Sequence, residues 1–194
     1  MKDDKVIFFD CFGLFAGDAV VHYFIKHYGE EEGMKIKNFY CEKGDAGEIT
    51  YAQFLSALEK DLHIDLDEFQ KELDGYYAIN ESMLNLAKQL KQAHHVIMLS
   101  NVMDGVIENV FRHYDLNEYF DGFIKSCIVK MRKPNLDIFE YAIASLGFKP
   151  SQIVFVDDNS ANVIASKQAG MDGLIYTNES KLREDLKERG LLNA

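Results

Sequence analysis

Asp10 closes the apolar run Val6-Ile7-Phe8-Phe9 and is followed by Cys11, Phe12 and Gly13. An aspartate leading into a tight turn at Gly13 can project its carboxylate into a cleft. There it can serve as an oxygen nucleophile that needs no base at neutral pH, or as a hard ligand for a divalent cation. Ser100 and Asn101 close a second run, Val96-Ile97-Met98-Leu99, with a hydroxyl and an amide. Lys133, in Met131-Arg132-Lys133-Pro134-Asn135, adds a fixed positive charge ahead of a helix that Pro134 is expected to open. Asp157 and Asp158 close a third run, Ile153-Val154-Phe155-Val156, just before a helix start at Asn159-Ser160. Taken singly, each has an ordinary structural explanation as a loop aspartate, a helix cap or a surface lysine. Together they form an ordered series of nucleophile, hydroxyl, lysine and acid pair.

Short apolar runs with polar endings fit parallel strands covered on both faces by helices. Between them lie helical patterns, Leu84 to Leu90 and Leu136 to Ile143. Strand alternating with helix predicts an open, doubly wound parallel α/β sheet of Rossmann-like type. In such sheets ligands bind beyond the carboxyl ends of the strands, so the three polar endings are expected to gather there. Residues 17–79 differ, with amphipathic patterns such as Val20 to Ile25 and Phe54 to Leu58 but no clear strand. Thr50 and Gln53 match a capping box, and Gly44 and Gly47 mark a turn before that helix. The organisation predicted is a core of residues 1–16 and 80–194 with a helical cap at 17–79. The charged stretch from Lys181 to Arg189 is expected to be a solvated helix.

The chain has 194 residues, 47% of them hydrophobic, which fits one domain with a modest insertion and excludes a disordered tail or a small disulfide scaffold. Its net charge of −11 repels nucleic-acid phosphates and anionic lipid, so neither nucleic acid nor membrane is an expected partner. No apolar run approaches the roughly 20 residues of a bilayer span. The charged opening Met1 to Lys5 lacks the apolar stretch of a signal peptide. Three scattered cysteines, Cys11, Cys41 and Cys127, read as reduced thiols, and a cytoplasmic location is expected. Cys11 should point away from Asp10 into the core. His94 and His95 are expected at the surface, at the strand end opposite the site. The aromatics Tyr23, Phe24, Tyr76 and Tyr77 read as cap core. Nothing in the sequence indicates an oligomeric state.

The ordered series resembles the haloacid dehalogenase-like hydrolase superfamily over essentially the whole chain. The run from Val154 to Met171 resembles the small-molecule phosphatases of that superfamily. Gly47 to Leu55 is similar to the glucose-1-phosphate phosphatase-like branch. The resemblance implies that Asp10 attacks phosphorus and forms an aspartyl-phosphate. It implies that Ser100, with Asn101 beside it, binds a phosphoryl oxygen and that Lys133 neutralises Asp10 and phosphate together. It also implies that Mg2+ is held by Asp10, the Phe12 carbonyl, and Asp158 with Asp157. Like charges 4 Å apart repel by about 4 kcal/mol at an effective dielectric of 20, so a phosphate among three aspartates needs a cation beyond Lys133. The implied substrate is a small phosphorylated metabolite, with sugar phosphates among the choices.

Phe12 departs from the pattern. Most phosphatases of the superfamily carry an aspartate there as general acid and base, a role worth about 10² to 10⁴ in rate. Some members of the resembled branch also lack it. A phosphomutase is disfavoured, because it must move protons on sugar hydroxyls repeatedly. A 2-haloacid dehalogenase is the second enzymatic alternative, since halide leaves without a proton. Against it, Asp157 and Asp158 would repel a carboxylate substrate unless a metal were present, and dehalogenases work without one. A binding protein that retained the fold and metal is the non-catalytic alternative.

Overall fold

A computed structural model describes residues 5–193; the opening stretch Met1 to Asp4 lies outside them. Five parallel strands form one sheet in the order β3-β2-β1-β4-β5. They are β1 (Val6–Phe9), β2 (His95–Ser100), β3 (Gly122–Lys125), β4 (Ile153–Asp157) and β5 (Asp172–Ile175). Side chains alternate faces along each strand. Ile7, Phe9, Val96, Met98, Val154 and Val156 therefore pack on one side, against α5 (Glu81–Lys91), α6 (Val106–Val110) and α10 (Glu179–Glu188). Val6, Phe8, Ile97, Leu99, Ile153 and Phe155 pack on the other. There they meet α8 (Leu136–Leu146) and α9 (Ser160–Gln168), while α7 (Ser126–Val129) follows β3. This is the doubly wound sheet that the apolar runs predict.

Four helices lie between β1 and α5: α1 (Ala19–Tyr28), α2 (Glu30–Asp45), α3 (Tyr51–Leu62) and α4 (Leu66–Tyr76). They share a separate apolar cluster around Phe24, Phe54, Leu58, Phe69 and Leu73. The chain enters and leaves this unit side by side. Ala16 forms an antiparallel bridge to Ile79, and Gly17 N–H donates to the Ala78 carbonyl at 3.2 Å. Tyr23 and Phe24 are buried in the helical cluster, and Tyr76 and Tyr77 pack against it. Thr50 and Gln53 form the expected capping box at α3.

Several local expectations change. Gly44 lies inside α2 rather than in a turn, and a Cβ there would meet Met103 Sδ at 2.5 Å, so glycine permits the helix to sit against the core. Only Gly47 turns the chain, with φ of +66°. Helix α8 starts at Leu136, after Asn135, two residues later than Pro134 suggests. The C-terminal helix is solvated on one face only, because Leu182 and Leu186 are buried in the core. His94 is buried, its Nε2 2.9 Å from the Leu191 carbonyl. The C-terminal Leu191 and Leu192 pack into the core beyond β2, which the sequence around His94 does not reveal.

Candidate active site

Strand order reverses between β1 and β4, because the chain builds outward from β1 to β3 and then returns to the other side of β1. A crevice opens at such a reversal. Asp10 stands just beyond β1, and its N–H donates to the Val156 carbonyl at 2.9 Å, extending the pairing of β1 with β4. Asp157 ends β4 and Asp158 follows it. One carboxylate oxygen from each of Asp10, Asp157 and Asp158 lies within 4.8 Å of the others. At that separation two full charges repel by about 3 kcal/mol or more at an effective dielectric of 20.

Lys133 is fixed among these acids. Its ammonium lies 2.9 Å from Asp10 Oδ1 and 2.6 Å from Asp157 Oδ2, and its side chain is 1% exposed. The ammonium also lies over the Phe155 ring, 5.3 Å from its centroid. Burial alone would lower its pKa; Asp10 and Asp157 outweigh burial and raise it above the ordinary lysine value, so the charge persists. Asp157 is fully buried, and its oxygens also accept from Asn159 N–H at 2.8 Å and from the Asn162 amide at 3.0 and 3.1 Å. Asp157 is thus the anchor of Lys133. Asp158 is the exposed member of the pair and faces the cavity.

Asp10 Oδ1 is held by Lys133 and by the Cys11 N–H at 2.7 Å. Burial, with Asp157 adding to it and Lys133 opposing, pushes the Asp10 carboxyl up to about 7. Near neutral pH the carboxyl is balanced between its two forms, and a nearby cation would favour the ionised one. Burial also raises Asp158, with Asp157 contributing. A hard divalent cation suits this all-oxygen donor set. The Gly13 turn is pressed onto Asp158, where a Cβ would fall 2.0 Å from Oδ2, so the loop and the carboxylate are positioned together.

Ser100 is buried at the end of β2, and among the described residues its hydroxyl makes only a long 3.5 Å hydrogen bond, donated to the Asn101 carbonyl. Asn101 lines the cavity, yet its amide is engaged with Lys133: Nδ2 donates to the Lys133 carbonyl at 2.7 Å and Oδ1 accepts from Lys133 N–H at 2.8 Å. Its side chain therefore holds the lysine in place. Cys11 is buried in the core, as its alternation predicts. Phe12 lies beside the cavity with no acid in its place.

The cavity above Asp10 has a volume of about 280 Å³ and takes walls from both core and helical unit. Asp18, Lys37, Cys41, Glu42 and Asp45 come from the helical unit. Sequence reasoning missed them. Lys37, Cys41 and Asp45 follow one another at helical spacing, but spacing alone cannot say which face of α2 turns to the site. Asn162 could have been found, since it sits five residues past Asp157 in a helix whose start was recognised. Burial, with Asp18 adding and Lys37 opposing, pushes Asp45 up to about 6. Arg132 pairs with Glu42 at 3.2 Å, joining the core loop to α2.

Comparison with known proteins supports this architecture. A family model described as haloacid dehalogenase-like hydrolase matches residues 5–170. The chain is 32% identical over 108 residues to the sesquiterpene phosphatase astK of Aspergillus oryzae, covering 55% of each protein. It is 31% identical over 103 residues to a D-ribitol-5-phosphate phosphatase of Bacteroides thetaiotaomicron, covering 50% of each. The matches thus span about half the length of these two relatives. A haloacid dehalogenase family enzyme from B. thetaiotaomicron, solved with magnesium and inorganic phosphate, superposes with a TM-score of 0.77 at 20% identity. That likeness covers 92% of this chain and 98% of the other and shows the shared fold. The chain belongs to the haloacid dehalogenase-like hydrolase family.

Proposed function

We propose that the protein hydrolyses small phosphomonoesters with Mg2+, through an aspartyl-phosphate on Asp10. The observation that carries this is the cluster of Asp10, Asp157 and Asp158 around Lys133 at the strand-order reversal. Asp10, Asp158 and the Phe12 carbonyl would hold the ion, with Asp157 beside them. The bound cation offsets the negative charge of carboxylates and phosphate. Asp10 Oδ1 is tied to Lys133 and Cys11 N–H, which leaves Oδ2 to attack phosphorus. Lys133 neutralises the nucleophile before attack and the phosphoryl oxygens afterwards. Ser100 stands at the β2 end to bind a phosphoryl oxygen, and Asn101 contributes by fixing Lys133.

Helices α1 to α4 act as the cap, with residues 17–79 closing over a core of 1–16 and 80–194. A cavity of about 280 Å³ suits a metabolite rather than a polymer. The phosphatase relatives support a phosphorylated small molecule, sugar or polyol phosphates included. The acid pair Asp157 and Asp158 disfavours a haloacid carboxylate bound without a metal, whereas a divalent cation beside the same acids would favour a phosphate. The test is phosphate release from a panel of phosphorylated metabolites, with Mg2+ and with chelator. Metal-dependent release is expected. Release that persists after metal removal, or halide release from a 2-haloacid in its place, would overturn the proposal.

A further inference from the structure

Lys37 is a cation that the cap lowers into the site without giving it a partner. It lies on α2, and α2 turns the face bearing Lys37, Cys41 and Asp45 toward the cavity. Among the described residues Lys37 makes no hydrogen bond and no ion pair. Its neighbour Lys35, on the solvent side, pairs with Glu31 at 2.8 Å, and Lys26 on α1 pairs with Glu72 at 2.6 Å. A half-buried ammonium has lost part of its water, and leaving it without a direct acceptor is unfavourable. Burial pulls its pKa down; Asp18, Cys41, Asp45 and Asp10 outweigh burial and hold it above the ordinary lysine value. The charge is retained and unspent.

Its place along the cavity says what it meets. The larger space contains Asp10, Lys133 and Asp158, the phosphoryl end. A smaller space of about 70 Å³ adjoins it and is walled mainly by apolar cap and core residues such as Val20, Phe54 and Met103. Both spaces are bounded by Phe12, Asp18, Lys37, Cys41, Asp45 and Asn101. A phosphomonoester with phosphorus at Asp10 and its organic part in the smaller space passes the residues that line both, Lys37 among them, and its bridging oxygen lies at the phosphoryl end of that passage.

Resting on the phosphatase function proposed above, we infer that Lys37 is a catalytic residue that hydrogen-bonds the leaving-group oxygen and balances the charge it gains. Asp10 Oδ2 forms the new bond to phosphorus, the bond from phosphorus to the bridging oxygen breaks, and its electron pair stays on that oxygen. Lys37 remains protonated, and water supplies the proton that completes the alcohol. A cation so placed partly substitutes for the acid that Phe12 cannot be.

The test is a series of phosphomonoesters running from good aryl to poor alkyl leaving groups. Each is assayed with Mg2+ on wild type, Lys37→Met, Lys37→Arg and the solvent-side control Lys35→Met, with thermal unfolding measured in parallel. Loss of one donor to a developing oxyanion is expected to lower kcat/KM for alkyl phosphates about 100-fold and for aryl phosphates less than about fivefold. Lys37→Arg should restore most of the alkyl activity, and Lys35→Met should match wild type. Should Lys37→Met fail to fold, Lys37→Gln carries the same comparison with a side chain that tolerates water. An active wild type whose leaving-group dependence does not change on Lys37 replacement, or shifts equally for all esters, overturns this inference alone. A wild type that releases no phosphate from any ester overturns the phosphatase proposal and this inference with it.

Discussion

Replacing Lys133 with alanine tests whether the site's acids are tolerated only because that ammonium lies among them. The lysine side chain is 1% exposed and Asp157 is fully buried, and the charges sit 2.6 Å apart. Asp10, 14% exposed, is 2.9 Å away on the other side. Removing one member of such a buried pair leaves a charge that water cannot reach, a loss of about 3–5 kcal/mol. For a chain of this length each kcal/mol corresponds to about 2–4 °C, so the melting temperature should fall by about 10 °C or more. The assay is urea and thermal unfolding of wild type and Lys133→Ala in metal-free buffer near pH 7.5, repeated near pH 5. Lys133 lowers the Asp10 pKa, so without it Asp10 holds its proton to higher pH. At the lower pH Asp10 is neutral in both proteins and the gap between them should narrow. A gap below about 1 kcal/mol near neutrality, the size of an exposed pair, would refute the reasoning.

Other outcomes follow from the same geometry. Asp10 titrates at about 7 in the metal-free protein, well above the ordinary 3.8. Its own contribution to stability is therefore full below its unfolded pKa and lost as pH rises through about 7. Because Mg2+ must displace that proton, affinity measured by calorimetry should weaken by roughly tenfold per unit as pH falls below 7, and a flat profile would contradict the shift. Gly13→Ala places a Cβ 2.0 Å from Asp158 Oδ2 at a φ of +81°, and should weaken Mg2+ binding before it unfolds the chain; unchanged affinity would separate Asp158 from the metal. With phenylalanine at position 12, rates should depend steeply on leaving-group pKa and Phe12→Asp should flatten that dependence, provided the new carboxylate reaches the oxygen. Equal rates for good and poor leaving groups in wild type, with chemistry rate-limiting, would show that another group donates the proton.

The strands nearest the site were legible because β1, β2 and β4 are buried on both faces and read as unbroken apolar runs. Strands β3, Gly-Phe-Ile-Lys, and β5, Asp-Gly-Leu-Ile, are short edge strands whose composition does not separate them from loops. The residues drawn together around Asp10 were legible because polar strand endings in a doubly wound sheet converge. The engagement of Asn101 with the backbone of Lys133 was not, since it depends on the path of the loop after β2. Lys37 and Asp45, on α2, were equally hidden. They belong to a charged helix, and only the packing of α2 on the core, with Gly44 against Met103, decides which face meets the cavity. His94 lies at the amino end of β2 as expected, but its burial was hidden for a similar reason: it comes from Leu191, nearly a hundred residues away.

The most direct test of the account is to catch phosphate on Asp10. Wild-type protein with Mg2+ and a turning-over phosphomonoester is quenched in acid, digested, and mapped by mass spectrometry for a phosphorylated aspartate. Label on Asp10, absent from a folded Asp10→Asn protein that no longer releases phosphate, is the predicted result. Continued phosphate release by Asp10→Asn, or label on any other residue, would contradict it.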